Sequence, residues 1–169
     1  MAKSGITRRI DELGRIVVPK EIRYNLGIRD GEPLEIYTND NAIIIKKYSQ
    51  VENIKDISNN LCNIFADICK IGILISDREK IIATSNNLKS LENQKLLENQ
   101  KKLIDSRENY FSENKETIFE ILSYYTIIPI ITSLDCSGLI IILTENKDTE
   151  ALKYAKIIQK LIVQKIDVT

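Results

Sequence analysis

Through the first fifty residues the apolar positions recur in short, β-branched runs, and behind residue 50 they change to a helical spacing. Gly5-Ile6-Thr7-Arg8-Arg9-Ile10 and Arg15-Ile16-Val17-Val18 read as two strands, joined by a turn at Asp11-Glu12-Leu13-Gly14, so the chain opens with a hairpin carrying arginines on both arms. Pro19 suits the first position of a helix, Ile22 and Leu26 recur at i,i+4, and Gly27 suits a left-handed stop. A turn at Arg29-Asp30-Gly31-Glu32-Pro33 leads to the alternating strand Leu34-Glu35-Ile36-Tyr37. Asn39-Asp40-Asn41 then turns the chain into the apolar run Ala42-Ile43-Ile44-Ile45. That run predicts a second hairpin buried more fully than the first.

From residue 51 the pattern is different. Ile54, Ile57, Leu61, Ile64, Ile68 and Ile71 follow one another at steps of three and four, which predicts a linker helix from about residue 52 to 70. Fewer than three heptads leave open whether that stripe packs on the back domain or pairs two subunits. Strands are expected at Ile71 to Ile75 and Ile81 to Thr84, a polar, leucine-spaced helical stretch from about Leu88 to Ile104, and strands at Ile118 to Leu122, Tyr125 to Thr132 and Gly138 to Leu143. A turn is expected at Asp135-Cys136-Ser137-Gly138. A final helix from Thr149 to about Ile166 presents Leu152, Ala155, Ile158 (or Ile157), Ile162 and Ile166 on its apolar face. The order α-β-β-α-β-β-β-α implies an antiparallel sheet flanked by helices, an α+β fold.

The chain of 169 residues holds two small modules, residues 1–50 and 51–169. A front unit of about 48 residues without a metal set or disulfide pair rarely folds alone, so obligate dimerisation is expected, with Ile43, Ile44 and Ile45 covered by a second copy.

Charge and residue type narrow the function. Lys+Arg and Asp+Glu both count 24, which excludes a uniformly basic coat. The charge is instead local: over residues 1–24, six basic residues (Lys3, Arg8, Arg9, Arg15, Lys20, Arg23) face three acidic ones. Five of the seven arginines fall in the first 29 positions, while lysine dominates elsewhere. A planar guanidinium fork binds phosphate or guanine bidentately, which an ammonium does not, so this clustering points to double-stranded DNA; a solvated, salt-bridged face is the plainer alternative. Histidine is absent, which removes imidazole acid–base catalysis and imidazole metal sites. The three cysteines, Cys62, Cys69 and Cys136, form no CxxC pair and read as small packing residues of a reduced, cytoplasmic protein. No catalytic residue, cofactor or metal site is expected, nor a membrane span or a cleaved signal segment.

The stretch from Gly5 to Arg23, continuing through Leu26-Gly27-Ile28 and Leu34-Glu35-Ile36-Tyr37 to Lys46-Lys47-Tyr48, resembles the signature of the AbrB-type transition-state regulators, whose DNA-binding unit is a swapped-hairpin dimer. The resemblance implies that Arg8, Arg9, Arg15 and Arg23 reach DNA; Lys20 and Lys3, basic residues of the same front edge, are second-tier candidates for phosphate contacts. One position departs from the family: Tyr24 stands where a second arginine often follows Arg23. Adjacent Arg8 and Arg9 on a regular strand point to opposite faces, so only one of them faces DNA unless the strand twists. The back half resembles the GAF domain, a small-molecule sensing module, and the whole chain resembles a sporulation regulator of this kind.

These resemblances imply a nucleoid-associated transcription regulator, both repressor and activator, whose DNA-binding unit dimerises; a second interface in the back domain would make the full chain a homotetramer or a doubly linked dimer. The stripe Ile54, Ile57, Leu61, Ile64 and Ile68 would supply the second interface. A small-molecule effector would lie near Tyr110, Phe111, Tyr124 and Tyr125. Two other classes compete: an antitoxin that neutralises a toxin and autoregulates its operon, whose back segment would be a disordered tail, and a cysteine-dependent sulfoxide reductase on a GAF fold, which would need accessible paired thiols.

Overall fold

The computed structural model describes residues 5–133 and 135–167. The chain divides into two compact units, Met1–Tyr48 and Ser49–Thr169.

In the front unit, Pro19 caps α1 (Lys20–Asn25) with φ −57°, and Gly27 ends it at φ +61°. There the amides of Gly27 and Ile28 donate to the carbonyls of Tyr24 (3.0 Å) and Arg23 (2.7 Å), closing a Schellman motif that a residue with a Cβ would strain. β1 (Leu34–Asn39) and β2 (Ala42–Lys47) form an antiparallel hairpin in which Leu34 faces Lys47 and Asn39 faces Ala42.

The arms expected as strands at residues 5–10 and 15–18 are not paired into a ladder. The turn between them forms, with the Asp11 amide donating to the Arg15 carbonyl at 3.1 Å and the Gly14 amide to Asp11 at 3.0 Å. A strand needs a partner for its amides and carbonyls, and the described residues supply none for these arms. Ile6, Ile10, Ile16 and Val17 are accordingly exposed, and Pro19 is the only buried residue among the described residues of this unit. The second hairpin is more buried than these arms, as its sequence predicts: Ile44 and Ile45 are half-buried, although Ile43 is 67% exposed.

In the back unit the expected linker helix is two pieces, α2 (Gln50–Asn53) and α3 (Lys55–Cys69), broken at Ile54, whose φ of −110° is not helical. β3 (Gly72–Ser76) and β4 (Ile81–Thr84) follow. The polar stretch that reads as one helix is a 3-10 segment, Asn86–Leu91, and a separate α4 (Glu98–Ser106). Then come β5 (Tyr110–Phe111), which the sequence does not announce, β6 (Glu116–Ile118), β7 (Ile121–Ile131), β8 (Cys136–Thr144) and α5 (Ala151–Ile166). The run Ile118 to Leu122, expected as one strand, is instead a tight reversal. Phe119 and Glu120 take φ of +48° and +66°, and Ile118 pairs with Ile121. The expected turn at Asp135 to Gly138 lies earlier, where the Thr132 amide donates to the Asp135 carbonyl at 2.9 Å, and Cys136 already belongs to β8.

All pairings are antiparallel, in the order β4-β3-β8-β7-β5 with β6 also on β7. Along β3 and β8 successive residues point to opposite faces, yet Leu139 to Leu143 are all buried, because each face has its own cover. On one face Ile73, Ile75, Ile140 and Ile142 pack against Ile54, Cys62, Ala155, Ile158 and Ile162 of the α2–α3 and α5 layer. On the other, Leu74, Leu139, Ile141 and Leu143 pack against Leu88, Leu96 and Ile104. Gly138 marks the tightest approach in the sheet: a Cβ there would lie 1.8 Å from the Ser76 carbonyl oxygen.

Candidate nucleic-acid interface

The arginines of the front unit sit on elements with different degrees of order. Arg8 and Arg9 lie on the unpaired arm, and both are exposed. Arg15 follows the turn and is held by it. Asp11 Oδ1 accepts from the amides of Leu13 (3.0 Å) and Arg15 (2.8 Å), while Asp11 Oδ2 accepts from Arg15 Nε (2.8 Å). The bond from the Arg15 amide, then that from its guanidinium, holds the Asp11 carboxyl below its ordinary range. Arg23, on α1, is half-buried, and its Nη1 donates to Asp30 Oδ1. Lys20 opens α1 and is exposed, as is Tyr24. Lys3 lies outside the described residues. Sequence reasoning passed over Asp11 and Asp30, the two carboxylates that pair with Arg15 and Arg23. The signal for the first was an Asp four residues before an Arg across a Gly-containing turn.

The stripe on α2–α3 divides between two roles. Ile54 lies in the core, so it is not available to another subunit, and Leu61 packs partly against the same core beside Cys62 and Phe65. Ile57, Ile64 and Ile68 point outward. On α5, which also contacts α3, Ile157 and Leu161 are exposed while Ala155, Ile158 and Ile162 are buried. Two neighbouring helices on one face of the sheet thus each carry an uncovered apolar stripe.

The four aromatics proposed for a ligand do not converge. Tyr110 and Tyr125 stack with ring centroids 5.4 Å apart, and both hydroxyls donate to Glu116, at 2.9 Å and 2.8 Å. The bond to Glu116 raises the Tyr110 phenol above its ordinary value, and burial does the same for Tyr125. Tyr124 neighbours Tyr125 on β7 and therefore faces the other side of the sheet, and Phe111 is exposed. The cysteines are packing residues. Burial pushes the Cys62 thiol up to about 12 and raises that of Cys136, so neither thiol ionises readily. Among the described residues no group of His, Cys, Asp and Glu could hold a metal ion, and no helix is long and apolar enough to cross a membrane.

Comparison with known proteins covers both units. The family described as stage V sporulation protein T C-terminal, transcription factor, matches residues 53–165, and the family described as antidote-toxin recognition MazE, bacterial antitoxin, matches residues 7–53. Stage V sporulation protein T of Bacillus subtilis (strain 168) is 34% identical over 155 residues, which is 87% of either chain. The transition state regulatory protein AbrB of the same organism is 54% identical over 48 residues, 28% of this chain and 50% of that one. The back unit is similar in fold to the GAF domain from an Acinetobacter phosphoenolpyruvate-protein phosphotransferase. That domain is 15% identical, the match covers 70% of this chain and 87% of that one, and the TM-score is 0.51.

Proposed function

The chain belongs to the stage V sporulation protein T family of transcription factors, and from that premise we propose that it is a DNA-binding regulator that both represses and activates genes of a sporulation programme. Its front unit dimerises and presents Arg8, Arg9, Arg15 and Arg23, with Lys20 and Lys3 in support, to the duplex. The observation that carries this reading is the pairing of two features in residues 5–48. Exposed guanidinium groups sit on a framework that leaves Ile6, Ile10, Ile16, Val17, Ile36 and Ile43 uncovered in a single chain, so a second copy must cover them and thereby doubles the arginine set.

The back unit joins two such dimers through Ile57, Ile64, Ile68, Ile157 and Leu161, giving a homotetramer on the nucleoid. A small-molecule effector of the GAF-like unit acts by favouring one arrangement of these contacts. The chain performs no chemistry of its own in this reading; a cysteine-dependent reductase would need accessible paired thiols, and Cys62 and Cys136 are buried. The packed sheet behind residue 49 favours a regulator over an antitoxin with a disordered tail.

Selection of a duplex from a randomised pool, followed by footprinting, tests the proposal. A discrete protected site is expected, with affinity falling steeply as salt rises. Arg15→Ala is expected to lose specific binding and Arg15→Lys to recover only part of it. Absence of any enriched sequence, or an Arg15→Ala protein that protects the site like wild type, overturns the corresponding part of the reading.

A further inference from the structure

We propose that Asp11 is a positioning residue that presets Arg15 for DNA, a role that rests on the reading that Arg15 reaches the duplex. The Asp11 carboxylate works in two places at once. Through Oδ1 it gathers the amides of Leu13 and Arg15, which fixes the path of the turn, and Gly14 at φ +75° supplies the left-handed step that lets the turn close. Through Oδ2 it takes the Nε hydrogen of Arg15. An arginine tethered by Nε keeps both Nη groups free, and the Arg15 side chain is 72% exposed, so the open end of the fork projects into solvent from a fixed base. Arg23 is held differently, through Nη1, and Arg8 and Arg9 have no side-chain tether among the described residues. Arg15 is therefore the one whose bidentate edge is both free and aimed.

The alternative role for Asp11 is that of a bystander, and the two roles differ in sign. An exposed, solvent-screened ion pair contributes little to folding, so the fold does not demand this one. A carboxylate beside a phosphate-binding surface repels the duplex, and removing a mere bystander tightens binding. Removing a positioning group weakens specific binding even though the surface becomes more positive. Freeing one long side chain costs about two- to tenfold in affinity.

Asp11→Asn separates these outcomes. Its amide oxygen still accepts from the Leu13 and Arg15 amides, while its NH2 group no longer accepts from Nε. Asp11→Ser, which keeps one acceptor for the backbone and ends short of the guanidinium, is the second variant should the first perturb the fold by circular dichroism. Full-length wild type, Asp11→Asn, Arg15→Ala and the double variant are titrated against a duplex selected by the wild-type protein and against a scrambled duplex. Positioning predicts a two- to tenfold loss on the selected duplex for Asp11→Asn, equal or tighter binding to the scrambled one, and no further loss in the Arg15→Ala background. Tighter binding of Asp11→Asn to the selected duplex, or an equal loss in both backgrounds, overturns the proposal while leaving the Arg15 reading standing. An Arg15→Ala protein that binds like wild type defeats that reading itself.

Discussion

Replacing Ile64 and Ile68 together by aspartate is expected to dissociate the back-unit interface proposed above without unfolding the chain. Fully burying an isoleucine side chain contributes about 1.5–3 kcal/mol. Ile64 is 53% and Ile68 76% exposed, so covering what remains contributes about 2–4 kcal/mol per protomer, and about twice that across a two-fold axis. Losing even about 4 kcal/mol raises the dissociation constant about a thousandfold, before the cost of desolvating two carboxylates is added. Neither side chain belongs to the core that α3 shares with the sheet, whereas Leu61 packs on it, and an aspartate at Leu61 would confound dissociation with unfolding. Sedimentation velocity at micromolar concentration is expected to show the mass halved, circular dichroism unchanged, and affinity for a selected duplex reduced as the second DNA-binding dimer is no longer tethered. An unchanged mass with a wild-type spectrum refutes the assignment of this stripe to an interface.

Two further substitutions test the back unit itself. Gly138→Ala sets a Cβ 1.8 Å from a backbone oxygen that the sheet cannot move cheaply; a loss of about 3 kcal/mol and a melting temperature lower by about 6–12 °C are expected in thermal denaturation. Bonds from Lys55 and Lys89 hold the Glu92 carboxyl below its ordinary value of 4.5. Because this pKa is depressed in the folded state, the stability it adds is present above pH 4.5 and is lost as pH falls through the lowered value. The gap in urea midpoint between wild type and Glu92→Gln is therefore expected to be full at neutral pH and to close in acid.

How far the sequence determined this protein can be read from particular residues. Pro19 and Gly27 bracket α1 as their backbone preferences demand, Ile81 to Thr84 form the strand their branching favours, and the isoleucine-rich stretch before Thr144 required cover on both faces, because a run without polar alternation leaves no side for water. The clustering of arginines at the front was legible for the same local reason, that guanidinium and ammonium bind differently. What needed tertiary structure were decisions between chemically equal options. The steps of three and four on α3 are satisfied by either side of a helix. Only packing against Ile73 and Ile142 decided that Ile54 and Cys62 turn inward and Ile64 and Ile68 outward. Phe119 and Glu120 carry no mark of a turn, since their positive φ is imposed by the pairing of β6 with β7 and not by their own preference. The arms at 5–10 and 15–18 have a strand's composition and no ladder, because a strand is a property of two segments, and the described residues of this chain supply no second one.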